Sequence, residues 1–226
     1  MYSDEKDYVN FLFESGIFIS NESVGNKEPL PGNVLQNQNW EFINSEHKKH
    51  NYVVIDNFLK PEYALRLRDF VLYINKRHDY YGEYAAINFQ PEQKNYLWFS
   101  LLSNIVIESL LNIECLKTTS FNRAWAFIYN EICRGIPPHI DTNSDITLNL
   151  WVTPNDCLVQ EKEQNGLVIY ESLKEIVVPY EFNRLVIFNS ATMHKSQNVV
   201  AKTGYKNKRI NYTFLFKKFD IYSKVR

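Results

Sequence analysis

Three residues in this sequence have types and intervals suited to one metal ion. His139 and Asp141 stand two apart, and His194 follows fifty-three residues beyond the aspartate, after the strand-like run of residues 183–189. In extended chain, residues two apart point the same way, so His139 and Asp141 can both face a single ion. Adding His194 from a neighbouring strand puts two imidazoles and a carboxylate on one face of an octahedral ion and leaves three positions open. That set favours Fe(II) over zinc, which is more often held tetrahedrally. Taken alone, the triplet equally describes a surface turn with a capping aspartate and a core histidine elsewhere.

A fourth residue bears on the same chemistry. Arg209 lies fifteen residues after His194 on the run Arg209–Phe214, where Arg209, Asn211 and Thr213 share one face and Ile210, Tyr212 and Phe214 the other. An arginine on the polar face of a strand next to a metal ligand is a natural bidentate clamp for a dicarboxylate, or else one partner of a rim salt bridge. Residues 146–152 sort in the same way, with Ile146, Leu148, Leu150 and Val152 on an apolar face and Thr147, Asn149 and Trp151 opposite. The second face would line a pocket, with Asn149 reaching a cosubstrate and Trp151 shaping the cavity. The same two residues also suit a satisfied buried asparagine and a core tryptophan.

The elements that must position these residues are legible as periods. Tyr52–Asp56 is a short β-branched strand. Pro61 opens a helix with Tyr63, Leu67, Phe70, Val71 and Ile74 on one stripe, and a second helix is predicted over 97–112 from Trp98, Leu101, Leu102, Ile105 and Ser109. From residue 121 the period becomes two, with strands predicted at 123–130, 145–153, 166–171, 183–189 and 208–217. Helices first and then five or more strands with no helix between them predict a mainly β jelly roll with supporting helices rather than a parallel α/β sheet.

Composition bounds the rest. The 226 residues are 45% apolar, enough for a substantial core, and the net charge of −1 gives no bulk field for nucleic acid or an acidic membrane. No eighteen apolar residues run together, and Asp4, Glu5 and Asp7 stand where a signal peptide needs positive charge, so a soluble cytoplasmic protein is expected. Cys115, Cys133 and Cys157 are an odd count without metal or disulfide spacing and read as small core residues. His47 and His50 fall in a charged run read as a solvated segment, and His78 suits a helix C-terminus. Residues 1–46 hold eight acids against Lys6 and Lys27 and are read as an N-terminal arm or extension, whereas residues 195–226 hold nine bases against Asp220. No phosphate-binding glycine loop or serine-hydrolase elbow is present.

Together these residues resemble the Fe(II)- and 2-oxoglutarate-dependent dioxygenases, and among them the prolyl-hydroxylase-like branch. The resemblance runs from about Tyr52 to Phe216. It is carried by the opening strand and helix from Tyr52 to Glu62, Tyr129 ahead of Gly135, His139-Ile140-Asp141, Gly166–Tyr170, Asn183–Phe188 leading to His194, and Arg209. It implies a double-stranded β-helix, a cupin-like jelly roll, in residues 47–226. It further implies His139, Asp141 and His194 as Fe(II) ligands and Arg209 as the partner of the distal carboxylate of 2-oxoglutarate. Tyr129 is implied to hydrogen-bond the same cosubstrate, with Asn149 and Asn211 as further contacts. The implied reaction takes O2 and 2-oxoglutarate, releases succinate and CO2 and hydroxylates a substrate. A carboxylate at Asp141 implies hydroxylation or demethylation rather than halogenation. The order Arg209, Asn211, Thr213, Phe214 is also similar to the ending of dioxygenases that repair alkylated nucleic acids. Leu215 replaces the second arginine of that group, so a small molecule or peptide side chain is favoured over nucleic acid. A metal protein of the same fold without 2-oxoglutarate chemistry, and a metal-free binding module, are the competing readings.

Overall fold

The computed structural model describes residues 33–73, 79–89, 100–159, 164–171 and 174–219. Ile74, His78, Trp98, most of the acidic arm and the last residues of the basic end lie outside these. Three helices, α1 (Trp40–His50), α2 (Pro61–Tyr73) and α3 (Ser100–Asn112), pack on a seven-stranded antiparallel sheet. Its strands are β1 (Tyr52–Ile55), β2 (Asp79–Tyr80), β3 (Tyr84–Phe89), β4 (Thr119–Tyr129), β6 (Ile146–Trp151), β9 (Leu185–Asn189) and β12 (Ile210–Lys218), in the order β1-β9-β6-β12-β4-β3-β2. Across from it lie a three-stranded sheet, β10 (His194–Ser196), β7 (Leu167–Glu171) and β8 (Lys174–Val178), and the pair β5 (Ile132–Cys133) and β11 (Val199–Val200). The fold is a double-stranded β-helix, mainly β with helices on one outer face, as expected.

Alternation decides which face does what. Ile146, Leu148 and Leu150 of β6, Tyr212, Phe214 and Phe216 of β12, and Ala124, Ala126 and Ile128 of β4 belong to the core shared with Leu67, Phe70, Leu102 and Ile105 of the helices. The buried Tyr212 hydroxyl donates to Leu67 O of α2 at 2.9 Å, so this layer carries a satisfied polar anchor as well as apolar contact. The opposite face, with Thr147, Asn149 and Trp151 of β6, looks into the space between the sheets. There Trp151, Val186 and Phe188 meet Leu167, Ile169 and Tyr180.

The chain before β1 is tied down more firmly than its composition suggests. Val34 and Leu35 are buried, and both of their amides donate to the Glu108 carboxylate of α3, at 2.7 and 3.1 Å. Helix α1 is capped by Asn39, whose side chain accepts from Phe42 N, and it crosses position 46 without a break. Within it, the expected solvated pair of histidines divides. His50 is half-buried and lies 3.8 Å from Glu46, whereas His47 is buried beside Ile43 on the inward stripe of the helix. The solvated reading of His47 is therefore corrected, because a four-residue interval on a helix places it on the face of Ile43.

The predicted strands and helices are present with ends no more than four residues from those expected, positions 97–99 of the second helix lying outside the described residues. Strands β2, β3, β5, β8, β10 and β11, and helix α1, were not among the expected elements. Cys133 and Cys157 are buried and Cys115 partly so, all with free thiols, as expected of core residues.

Candidate active site

His139 and His194 are held by backbone. They form an antiparallel bridge in which each residue's N–H donates to the other's carbonyl at 2.9 Å, bringing their rings to 4.3 Å between centroids. Asp141 N donates to Ser190 O at 3.0 Å, fixing the aspartate to the loop that leads into β10. His139 Nε2 then lies 3.8 Å from Asp141 Oδ1 and His194 Nε2 3.7 Å from Asp141 Oδ2, and one donor atom from each residue falls within 4.8 Å of the others.

The surroundings set the chemical form of these groups. Each imidazole has Nδ1 against a backbone carbonyl, Pro137 O for His139 at 2.8 Å and Thr192 O for His194 at 2.9 Å. A ring that donates through Nδ1–H presents the Nε2 lone pair inward, which is the arrangement of a metal-ligating histidine. Burial pushes His194 below the ordinary imidazole range, against an upward pull from the Asp141 charge, and this favours the neutral ring that a metal needs. Asp141 Oδ2 accepts from Thr147 Oγ1 at 2.7 Å, and that hydroxyl lies 2.9 Å from Ser190 Oγ. Two imidazoles and one oriented carboxylate fit an octahedral divalent transition metal bound on one face.

Arg209 lies immediately before β12 and is 1% exposed. Its guanidinium carbon lies 4.7 Å from the Tyr129 ring centre, 5.5 Å from Tyr180 and 5.8 Å from Trp151. Nε donates to Asn165 O at 2.9 Å and Nη1 to Asn211 Oδ1 at 2.8 Å, both neutral acceptors. Among the described residues, the buried guanidinium pairs with no acid. The polar atoms around it are also incompletely used. Among the described residues, Trp151 Nε1 and Asn149 Oδ1 are buried without a hydrogen-bond partner. The Tyr129 hydroxyl is 3.5 Å from Ser196 Oγ, and burial raises its pKa despite the nearby Arg209, so the phenol keeps its proton.

The seven expected site residues therefore fall in two groups. His139, Asp141 and His194 come together at one point. Tyr129, Asn149, Asn211 and Arg209 lie on the inner face of the large sheet and its margin. Asn211 carries a more specific task than expected, since its carbonyl oxygen holds the guanidinium. Sequence reasoning missed Tyr180, which stacks on Trp151 at 5.1 Å and 18°, and also missed Ser190 and Asn165. Thr147 was on the correct face by parity. A lone tyrosine and a lone serine in loops carry no period that would have flagged them.

No protein-family model and no curated protein matches the chain. Solved structures do. A prolyl-4-hydroxylase from Pseudomonas putida superposes with a TM-score of 0.60 at 12% identity, covering 80% of this chain and 99% of that one. A prolyl hydroxylase from Trichoplax adhaerens, solved with a hypoxia inducible factor peptide fragment, gives 0.56 at 15% identity over 81% and 94%. HygX from Streptomyces hygroscopicus, solved with nickel and 2-oxoglutarate, gives 0.57 at 7% identity over 78% and 86%. Among solved proteins, then, the fold that brings His139, Asp141 and His194 together is the fold of the prolyl-4-hydroxylases and 2-oxoglutarate-Fe(II) oxygenases.

Proposed function

We propose that this chain is an Fe(II)- and 2-oxoglutarate-dependent dioxygenase that hydroxylates a small molecule or peptide side chain, with residues 47–226 as its catalytic unit. The observation that carries this reading is Arg209. A guanidinium 1% exposed and without an acid partner among the described residues is electrostatically incomplete, and a dicarboxylate reaching in from the metal side completes it.

In this reading His139, Asp141 and His194 hold the metal. When bound, the metal and keto acid together supply the power to activate O2 and oxidise a C–H bond, and the protein contributes placement. Arg209 grips the distal carboxylate, while Asn211 and Asn165 O keep the planar fork in one orientation. Tyr129 donates its hydroxyl proton to the same carboxylate. The buried Trp151 Nε1–H supplies a further donor to the cosubstrate, and of the Asn149 amide it is the N–H group that can donate to its oxygens. Thr147, through its hydroxyl, orients the Asp141 carboxylate. The aromatic walls of Tyr129, Trp151 and Tyr180 lower the local dielectric and so strengthen the guanidinium–carboxylate attraction.

The test is an anaerobic titration of the Fe(II)-loaded protein with 2-oxoglutarate, read by the visible metal-to-ligand charge-transfer band of a chelated keto acid. The band is expected with the wild-type chain and lost at the same cosubstrate concentration in Arg209→Ala. Iron binding without a band would favour a metal protein of this fold that does not use 2-oxoglutarate. No iron binding would remove the site altogether.

A further inference from the structure

The inner face of the large sheet continues past the residues assigned above. Along β4, Arg123, Trp125, Phe127 and Tyr129 point inward, because Ala124, Ala126 and Ile128 lie in the helix-side core. Phe127 is covered by the opposite layer, packing with Tyr129, Cys133 and Val199. Trp125 belongs to none of the buried clusters, is half-buried, and presents a ring 6.1 Å from Phe127 at 26°.

Two polar groups flank that ring without partners among the described residues. Sheet register puts Asn88, Trp125, Thr213 and Asn149 in one row across β3, β4, β12 and β6. Asn88 Oδ1 is buried and accepts no hydrogen bond. The next row runs Arg123, Leu215, Thr147, and Thr147 is the residue that orients Asp141. Arg123 is half-buried and forms no ion pair among the described residues. Two strand spacings separate Arg123 from Thr147, about 10 Å, and about 7 Å separates Arg123 from Trp125 along the strand. By that spacing an acid held by Arg123 stands about 10 Å across the sheet from Thr147, and a ring lying on Trp125 sits beside it, one row further along the strands.

Resting on the oxygenase reading above, we infer that Trp125, Arg123 and Asn88 form the substrate subsite and select a planar aromatic carboxylate bearing a ring N–H or O–H. Trp125 stacks on the ring, Arg123 pairs with the carboxylate, and Asn88 Oδ1 accepts from the ring donor. A saturated or uncharged substrate leaves one of the three unsatisfied, and a prolyl residue inside a peptide leaves Arg123 without an anion.

The experiment is calorimetric titration of the anaerobic Fe(II)-loaded chain in saturating 2-oxoglutarate, which occupies Arg209. The probes are indole-3-carboxylate, indole-3-carboxamide, cyclohexanecarboxylate and acetylprolinamide. Indole-3-carboxylate is expected to bind at least tenfold tighter than each of the others. Arg123→Gln should reduce its preference over the carboxamide to near unity, and Arg123→Lys should restore part of it. Trp125→Leu should remove the preference over cyclohexanecarboxylate, while Trp125→Phe keeps it and controls for folding. Equal or tighter binding of acetylprolinamide, or a carboxylate preference that survives Arg123→Gln, overturns the inference. So does absence of binding by all four probes when the 2-oxoglutarate band forms, a result that leaves the oxygenase reading intact. Failure of the band itself overturns that reading, and the substrate assignment with it.

Discussion

Burying a charge costs several kcal/mol unless a partner compensates, and removing one member of a buried ion pair typically costs about 3–5 kcal/mol. Arg209 has neutral oxygens and ring faces where such a partner would be, so the cost of removing it should be far smaller. Arg209→Met is expected to lower the stability of the ligand-free protein by no more than about 1–2 kcal/mol, a filled apolar site partly offsetting the orphaned Asn165 and Asn211 oxygens. The same variant should lose 2-oxoglutarate binding at least a hundredfold. Urea melts and the charge-transfer titration read the two quantities separately, and a melt several kcal/mol weaker would mean that Arg209 is structural. Thr147 allows a second test at this scale. Thr147→Val removes the 2.7 Å hydrogen bond to Asp141 at almost constant volume and should weaken metal affinity roughly 10- to 100-fold in chelator competition, with Thr147→Ser restoring most of it.

At the level of elements, what was readable followed from run length. β6 and β12 run over six and nine residues, enough for parity alone to put Asn149, Trp151 and Asn211 on one face. β10 and β11 have three and two residues, and no period can be counted in so few. Helix α1 was missed for a different reason. Its sequence is polar, and of its eleven residues only Ile43 and His47 are buried, so its inward stripe is too thin to register and the nearby chain reads as an arm. The triad of His139, Asp141 and His194 was legible because residue type and interval are local properties. The guanidinium's surroundings were not, since Tyr180 and Asn165 reach it only through tertiary placement. The same applies to Glu108, whose carboxylate accepts two amides from the segment before α1. Glu108→Ala leaves Val34 N and Leu35 N without acceptors and should cost about 1–3 kcal/mol in a denaturant melt, with no change in metal affinity.

Across the whole molecule, the double-stranded β-helix separates its tasks by face. The helix side of the large sheet carries the main apolar core, and the inner side carries polar and aromatic groups that the protein itself leaves partly unsatisfied. The two faces share a backbone, so occupancy of one is felt in the stability of the other. A ligand present at a hundred times its dissociation constant contributes about 2.7 kcal/mol of stability. Anaerobic Fe(II) at that excess should raise the melting temperature by roughly 5–10 °C, and Asp141→Ala should abolish the rise in the same scan.

On the proposed function, the bridge between His139 and His194 has a consequence for how a metal would arrive. Because the two ligands are joined through their own amides and carbonyls, their relative position is a property of the β framework, and little chain entropy is left for an ion to remove. Exchange of the His139 and His194 amide hydrogens should therefore be slow before iron is added and change little afterwards. An ion entering this site meets a finished socket, and its capture should be limited by the shedding of its own water rather than by rearrangement of the protein.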